Sequence, residues 1–456
     1  MKSNKVDVLN GSIPKQLMLF FFPILFGSFF QQVYNTTDAI IVGNFVGKYA
    51  LAAVGGSSAS LINLFTGFAI GISSGASVII SQSFGNRDSE NLSKAVHTSI
   101  AFSVMFGLFI SIFMVIFGRD LLIMLKVPSE ILAKSTTYLR VISAGFVSSL
   151  LFNMGTGILR AVGDTKRPLY YLIIAVIINI ILDILFVAVF KMGVFGVAIA
   201  TIIAQTISAF LVINSLVKSE FEYRVDINNI RIDINTLKQI LLIGIPAGIQ
   251  SSLFSLSNII VQSSVNFLGA DYVAAWTAIG KIDSIFWMTL GSFGISITTF
   301  SAQNFGAKKY QRVKDSIRIC LVIATIVSVS ISFILYITCP WIFRLFLTDT
   351  DVISIGVYIF RSFAPFFVTY VALEIIGGAL RGIGDSIVPT IITLVGICAL
   401  RIAWILIVFK ANPVIDNVII CYPLTWIVTS IIFILYYLIY KPLDKKIKQQ
   451  EALINI

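Results

Sequence analysis

Apolar runs long enough to cross a bilayer dominate this chain. A helical span needs about 20 mostly apolar residues at about 1.5 Å of rise each. Twelve such runs stand between charged or Gly/Pro breaks, at approximately 16–43, 50–80, 93–117, 131–159, 169–190, 193–217, 238–266, 272–300, 315–338, 352–380, 388–409 and 415–440. Only 12% of the 456 residues are charged, about half the roughly 25% of a soluble protein. A folded surface in water cannot be covered at that density. The expected fold is an all-α integral membrane protein with twelve transmembrane helices. The first run is too long for a signal peptide, carries Asp38 and lacks a small-residue cleavage site.

The 33 Lys and Arg against 22 Asp and Glu give a net charge of +11, which in a soluble protein suggests nucleic acid. Here its placement decides. With the amino terminus inside, 22 basic residues fall in cytoplasmic segments, 7 in outer ones and 4 (Arg140, Lys281, Arg361, Arg401) within spans. Basic residues concentrate on the cytoplasmic side of membrane proteins, so both termini are expected there, in a multi-pass protein of the cell membrane with no nucleic-acid partner. Cys320, Cys339, Cys398 and Cys421 show no CxxC spacing, and His97 is the single histidine. Zinc, a disulfide framework and a Ser-His-Asp triad are not expected, and no cofactor or enzyme chemistry is indicated.

The two halves repeat. Gln82-Ser-Phe-Gly85 recurs as Gln303-Asn-Phe-Gly306, and Leu159-Arg160-x-x-Gly163-Asp164 as Leu380-Arg381-x-x-Gly384-Asp385. Gly157, Pro168 and Arg140 pair with Gly378, Pro389 and Arg361 at the same offset of 221. The expected division is an amino-terminal six-helix lobe at 1–217, a polar cytoplasmic linker at 218–237 and a carboxy-terminal six-helix lobe at 238–456 with a short basic tail. Six spans per repeat imply two pseudo-symmetric lobes related by an axis along the membrane normal. That is the geometry of an alternating-access carrier; the plainer alternative is a duplicated helical scaffold.

A charge near the bilayer centre costs about 2.5–3.5 kcal/mol on insertion scales, so each intramembrane acid needs a partner or a function. The spans hold Asp38, Asp183, Asp283 and Glu374. Tyr34 and Asp38 are four apart on span 1, and Asn179 and Asp183 four apart on span 5, so each pair shares a helical face. From their span ends, Asp38, Asp183 and Thr201 lie roughly 7, 10 and 12 Å deep, all in the outer half of the first bundle. Two carboxylates, an amide oxygen, a hydroxyl and a phenol suit a small hard cation. The carboxylate pair can also hold a proton, because two adjacent carboxylates in a low dielectric resist joint ionisation. The alternative is an inert polar knot joining three helices. Glu374 occupies the repeat position of Asn153; it can contact a cationic substrate or second ion, or pair with Arg401. Lys281 and Asp283 read as a local pair. Pro23 and Pro246 interrupt the first span of each half and offer hinges or passive kinks. Trp341 reads as an interface anchor, while Trp276, Trp287, Trp404 and Trp426 read as packing.

Taken in order, Pro23, Tyr34, Asp38 with Val42-Gly43, the Gln82-x-Phe-Gly85 loop, Leu159-Arg-Ala-Val-Gly-Asp164 with Pro168, Asn179-x-x-x-Asp183 and Thr201 resemble the multidrug and toxic compound extrusion (MATE) transporters. The resemblance spans essentially the whole chain. It implies a V-shaped pair of six-helix lobes that export lipophilic, often cationic, drugs or toxic compounds in exchange for sodium or protons. By motif position it carries Tyr34, Asp38, Asn179, Asp183 and Thr201 over as the cation or proton site, with Na+ expected at Asp38, Asn179, Asp183 and Thr201. It carries Pro23 over as a bending point. A monomer is its default expectation. The chain departs from the pattern in span 7, where Pro246 to Gly269 holds no acid; Glu374 matches only in part, which weights coupling toward the amino-terminal lobe.

The neutral donors Asn179 and Thr201 favour sodium over the proton. Two rival carriers share the architecture. A major-facilitator protein is expected to carry a Gly-x-x-x-Asp-Arg-type loop between spans 2 and 3, where this chain has Gly85-Asn-Arg-Asp-Ser-Glu-Asn. A lipid-linked oligosaccharide flippase of the related superfamily is the closer alternative, favoured by extra spans or a cationic central cavity.

Overall fold

A computed structural model describes residues 6–454, which form helices and no strand. The membrane-length helices are α1 (Ile13–Phe45), α2 (Lys48–Gly85), α3 (Ser89–Met124), α4 (Ser129–Ala144 and Phe146–Ala161), α5 (Lys166–Val189), α6 (Gly193–Val217), α7 (Ile234–Leu268), α8 (Ala270–Gly306), α9 (Tyr310–Phe346), α10 (Thr350–Gly382), α11 (Ile387–Phe409) and α12 (Ile415–Tyr440). The two pieces of α4 are bent by 49°, and counting them as one span gives the twelve expected from hydropathy. A shorter helix, α13 (Pro442–Ile454), follows. Lys2 and Lys5, which contribute to the charge count, lie outside the described residues.

Exposed positions on the membrane-length helices carry large apolar side chains such as Phe26, Phe109, Phe210 and Phe333. Between helices, small and hydroxylated residues replace them, because apolar burial offers little drive in a medium as apolar as leucine. Ser73, Ser77 and Ser81, one turn apart on α2, donate to the carbonyls of Asn153, Gly157 and Ala161 on α4 at 3.0, 3.3 and 3.1 Å. The second repeat reproduces the middle rung at the offset of 221: Thr298 Oγ1 donates to the Gly378 carbonyl at 2.9 Å. The repeated Gly-Asp motifs close their helices alike. Gly163 and Gly384 adopt φ of +90° and +83°, a region open to glycine at little cost. The amides of Asp164 and Asp385 then each donate to the leucine carbonyl five residues earlier, at 2.9 Å.

Packing divides the chain elsewhere than the polar stretch 218–237. One compact unit holds Phe22–Gly248 with the described residues up to Asp7; the other holds Val8–Phe21 with the described residues from Ile249 onward. Two of the three borders fall inside helices, one just before Pro23 and one two residues after Pro246. The first part of α1 therefore packs in the carboxy-terminal unit, where Phe21 stacks on Phe293 at 4.0 Å. The first part of α7 packs in the amino-terminal unit: a Cβ added at Gly75 would strike the Ile240 carbonyl, and one at Gly244 would lie 2.7 Å from Ile72 Cα.

The stretch 218–237 is itself packed. Tyr223 and Val225 are buried in the amino-terminal core. The Asp226 amide donates to His97 Nε2 at 3.0 Å, so the Nδ1–H of the neutral ring donates to the Ser93 carbonyl at 2.7 Å. The lone histidine is an anchor for the connecting segment.

Candidate functional site

The five polar residues singled out on α1, α5 and α6 converge at one end of the amino-terminal unit. Asp38 comes from the last two turns of α1, Asp183 from the last α-helical position of α5, and Thr201 from the third turn of α6. Directly after Asp183 the backbone widens into a π-helical stretch, Ile184–Val189, a distortion frequent at functional positions. Asn179 and Asp183 are fully buried, and Tyr34, Asp38 and Thr201 nearly so. Asp38 and Asp183 interact directly, and Tyr34 lies against Thr201.

The hydrogen-bond balance of this cluster is incomplete. Tyr34 Oη, Asp38 Oδ1, Asn179 Oδ1 and Nδ2, both Asp183 carboxylate oxygens and Thr201 Oγ1 are buried without a hydrogen-bond geometry to any described residue. An unsatisfied buried polar atom typically costs about 1–3 kcal/mol. An inert polar knot satisfies its own members; here two carboxylates, an amide, a hydroxyl and a phenol are buried together with much of their hydrogen-bonding capacity unused among the described residues. That donor set fits a small monovalent cation or a shared proton. Tyr138 on α4 also faces both carboxylates, beside the apolar cluster of Val42, Val187 and Val197. One tyrosine, with no acid or amide a turn away on its own helix, carries no spacing signal in the sequence.

The remaining polar residues find partners within their own helices. Asn153 turns back on its own helix, donating from Nδ2 to the Ser149 carbonyl at 2.8 Å. Glu374 does not pair with Arg401: its partner is Arg381, about two turns on, at 3.7 Å. Asp283 does not pair with Lys281 but accepts from the Trp287 indole at 3.0 Å, since position i+4 shares its face and i−2 does not. Trp287 and Trp426 belong to an aromatic cluster with Phe286, Phe367 and Tyr370, and Trp341 is exposed.

A sequence model of the family described as MatE matches residues 23–185 and again 246–407, covering the duplicated core of both repeats. The chain belongs to the MatE family. This MatE protein is 30% identical over 400 residues to "Probable multidrug resistance protein YoeA" of Bacillus subtilis, covering 86% of each chain. It is 23% identical over 354 residues to "Multidrug export protein MepA" of Staphylococcus aureus, covering 76% of each. In fold it matches the "Crystal structure of MATE in the bent conformation" with a TM-score of 0.90 at 22% identity, over 99% of this chain and all of the other. It is thus a multi-pass membrane transporter rather than an enzyme, with multidrug efflux proteins as homologues.

Proposed function

We propose that this MatE protein is a secondary active antiporter. It exports lipophilic or cationic small molecules from the cell and takes in Na+ or H+ at the Tyr34, Asp38, Asn179, Asp183 and Thr201 cluster. The observation that carries this reading is the set of buried polar atoms on three helices, two carboxylates among them, left without hydrogen-bond partners among the described residues. A cation or proton entering from outside neutralises the Asp38/Asp183 pair. The repacking of α1 that follows favours the outward state and release of the exported compound. The reset then carries the next substrate from the cytoplasm or inner leaflet. Pro23, which withholds a ladder N–H at the place where α1 passes from one compact unit to the other, is the bending point. Both termini face the cytoplasm, in keeping with the distribution of basic residues, and the working form is a monomer.

The test is efflux of a cationic dye from proteoliposomes with a sodium gradient or a pH gradient imposed separately. Efflux driven by one or both gradients is expected. A protein that ignores both gradients but moves a lipid-linked sugar would replace antiport with the flippase reading.

A further inference from the structure

Arg401 is the most deeply buried cation of the carboxy-terminal unit, 3% exposed in the middle of α11. No carboxylate stands within ion-pair distance of it among the described residues; the four salt bridges there are Lys94–Glu90, Arg167–Asp164, Lys314–Asp444 and Arg381–Glu374. Its contacts are neutral. Nη1 donates to Asn258 Oδ1 on α7 at 3.1 Å, and the guanidinium lies 4.3 Å from the centre of the Tyr422 ring on α12. Cys421 Sγ lies against it, and Nε has no acceptor. An unneutralised guanidinium in a membrane interior is costly, and a well-packed apolar residue often serves a scaffold as well or better.

Its place in the repeat suggests why it is there. The helices that surround it, α7, α11 and α12, are the repeat partners of α1, α5 and α6, which hold the amino-terminal cluster. Tyr422 stands 221 positions after Thr201, and Arg401 221 after Ile180, the neighbour of Asn179. The π-helical stretch after Asp183 recurs as Ile405–Phe409, directly after the repeat partner of Asp183. Val197 and Val418, also 221 apart, are both fully buried. Equivalent three-helix junctions thus carry opposite halves of one interaction: unsatisfied oxygens in the first repeat, a fixed cation among neutral groups in the second.

We propose that Arg401 is a built-in cation, covalently occupying in the carboxy-terminal unit the place that an exchangeable cation or proton takes in the amino-terminal one. This rests on the antiport reading above. It explains the acid-free stretch from Pro246 to Gly269: a junction that carries its own positive charge needs no carboxylate to recruit one. The carboxy-terminal unit is then permanently in the loaded form, and ion dependence enters through one repeat only.

The experiment is chemical rescue. Arg401→Lys, Arg401→Met and Arg401→Ala are made in the full chain, and each is measured by dye efflux in proteoliposomes and by thermal melting in detergent. Arg401→Lys should keep efflux and its ion dependence, while Arg401→Met and Arg401→Ala, which lack the built-in charge, should lose about tenfold or more, equivalent to about 1.4 kcal/mol. Millimolar guanidinium, but not urea, should raise the melting temperature and restore efflux of Arg401→Ala, leaving the parent protein unchanged. Wild-type efflux by Arg401→Met would overturn the inference, as would a folded Arg401→Ala protein that guanidinium does not rescue. If Arg401→Ala does not fold, the Lys and Met variants decide: equal efflux overturns it, and efflux by Lys alone supports it. Undiminished ion-driven efflux by Asp38→Asn beside a rescued Arg401→Ala would instead overturn the amino-terminal site, so the two failures are distinguishable.

Discussion

Replacing Asp38 with asparagine keeps the shape of the side chain and removes one of two buried charges. At an effective dielectric of about 20, unit charges about 4 Å apart interact by about 4 kcal/mol. Asp38 and Asp183 are both at least nine-tenths buried, so solvent screens them little. Two effects of opposite sign follow. Without a bound cation or proton the variant is relieved of carboxylate repulsion and should melt higher than the parent protein. Its affinity for the cation should fall by about 4 kcal/mol, close to a thousandfold at about 1.4 kcal/mol per decade. A ligand at 100 times its Kd stabilises by about 2.7 kcal/mol, whereas at a tenth of its Kd it contributes only about 0.06 kcal/mol. The ion-dependent part of the melting curve should therefore vanish in Asp38→Asn. Melting of purified protein, titrated with Na+ at fixed pH and then with pH in choline, measures both effects. An Asp38→Asn protein with the parent's ion-dependent shift would refute the assignment.

Four further outcomes are expected. Gly75→Leu should be strongly destabilised or fail to accumulate, because its Cβ would strike the Ile240 carbonyl and lie 2.7 Å from the Gly244 nitrogen. Gly280→Ala, with nothing within 4 Å, should instead gain up to about 1 kcal/mol of helix propensity; thermal melts of the two compare them. His97→Ala removes the acceptor of the Asp226 amide, so hydrogen exchange should quicken around Asp226 while efflux persists; unchanged exchange there would contradict the anchoring role. Pro23→Ala should lower efflux several-fold while leaving ion-dependent melting intact, since it alters bending and not binding; equal efflux would remove Pro23 from the mechanism.

The spans were legible because hydropathy is nearly all that a bilayer reads, and the duplication because Gln82, Gly163 and Pro168 recur with their spacing. The amino-terminal cluster was legible because i, i+4 spacing joins Tyr34 to Asp38 and Asn179 to Asp183 before any tertiary contact is known. Partner choice was less so. The i, i+7 spacing of Glu374 and Arg381 on α10 permits their pairing, but that Arg401 is not turned toward Glu374 depends on how α10 and α11 pack, which no single-helix pattern encodes. The polar composition of 218–237 marks a connecting segment but does not reveal that Tyr223 and Val225 bury themselves against the amino-terminal core. The exchange of the first parts of α1 and α7 between compact units leaves no mark in composition, because both helices run on unbroken; only Pro23 and Pro246 lie near the borders.

The two repeats differ where packing makes no demand. Gly163 and Gly384 match because a positive φ requires it, and Ser77 and Thr298 match because a hydroxyl bridges the same gap between helices. Asp38, Asp183 and Arg401 have no counterpart, and none answers a packing need: an apolar residue would fill each position at lower cost in hydrocarbon. A charge that the scaffold does not require, at a junction the scaffold builds twice, has to be explained by what passes through the junction. On that argument the asymmetry of the repeats locates the chemistry, with the amino-terminal junction exchanging its positive charge and the carboxy-terminal junction keeping one.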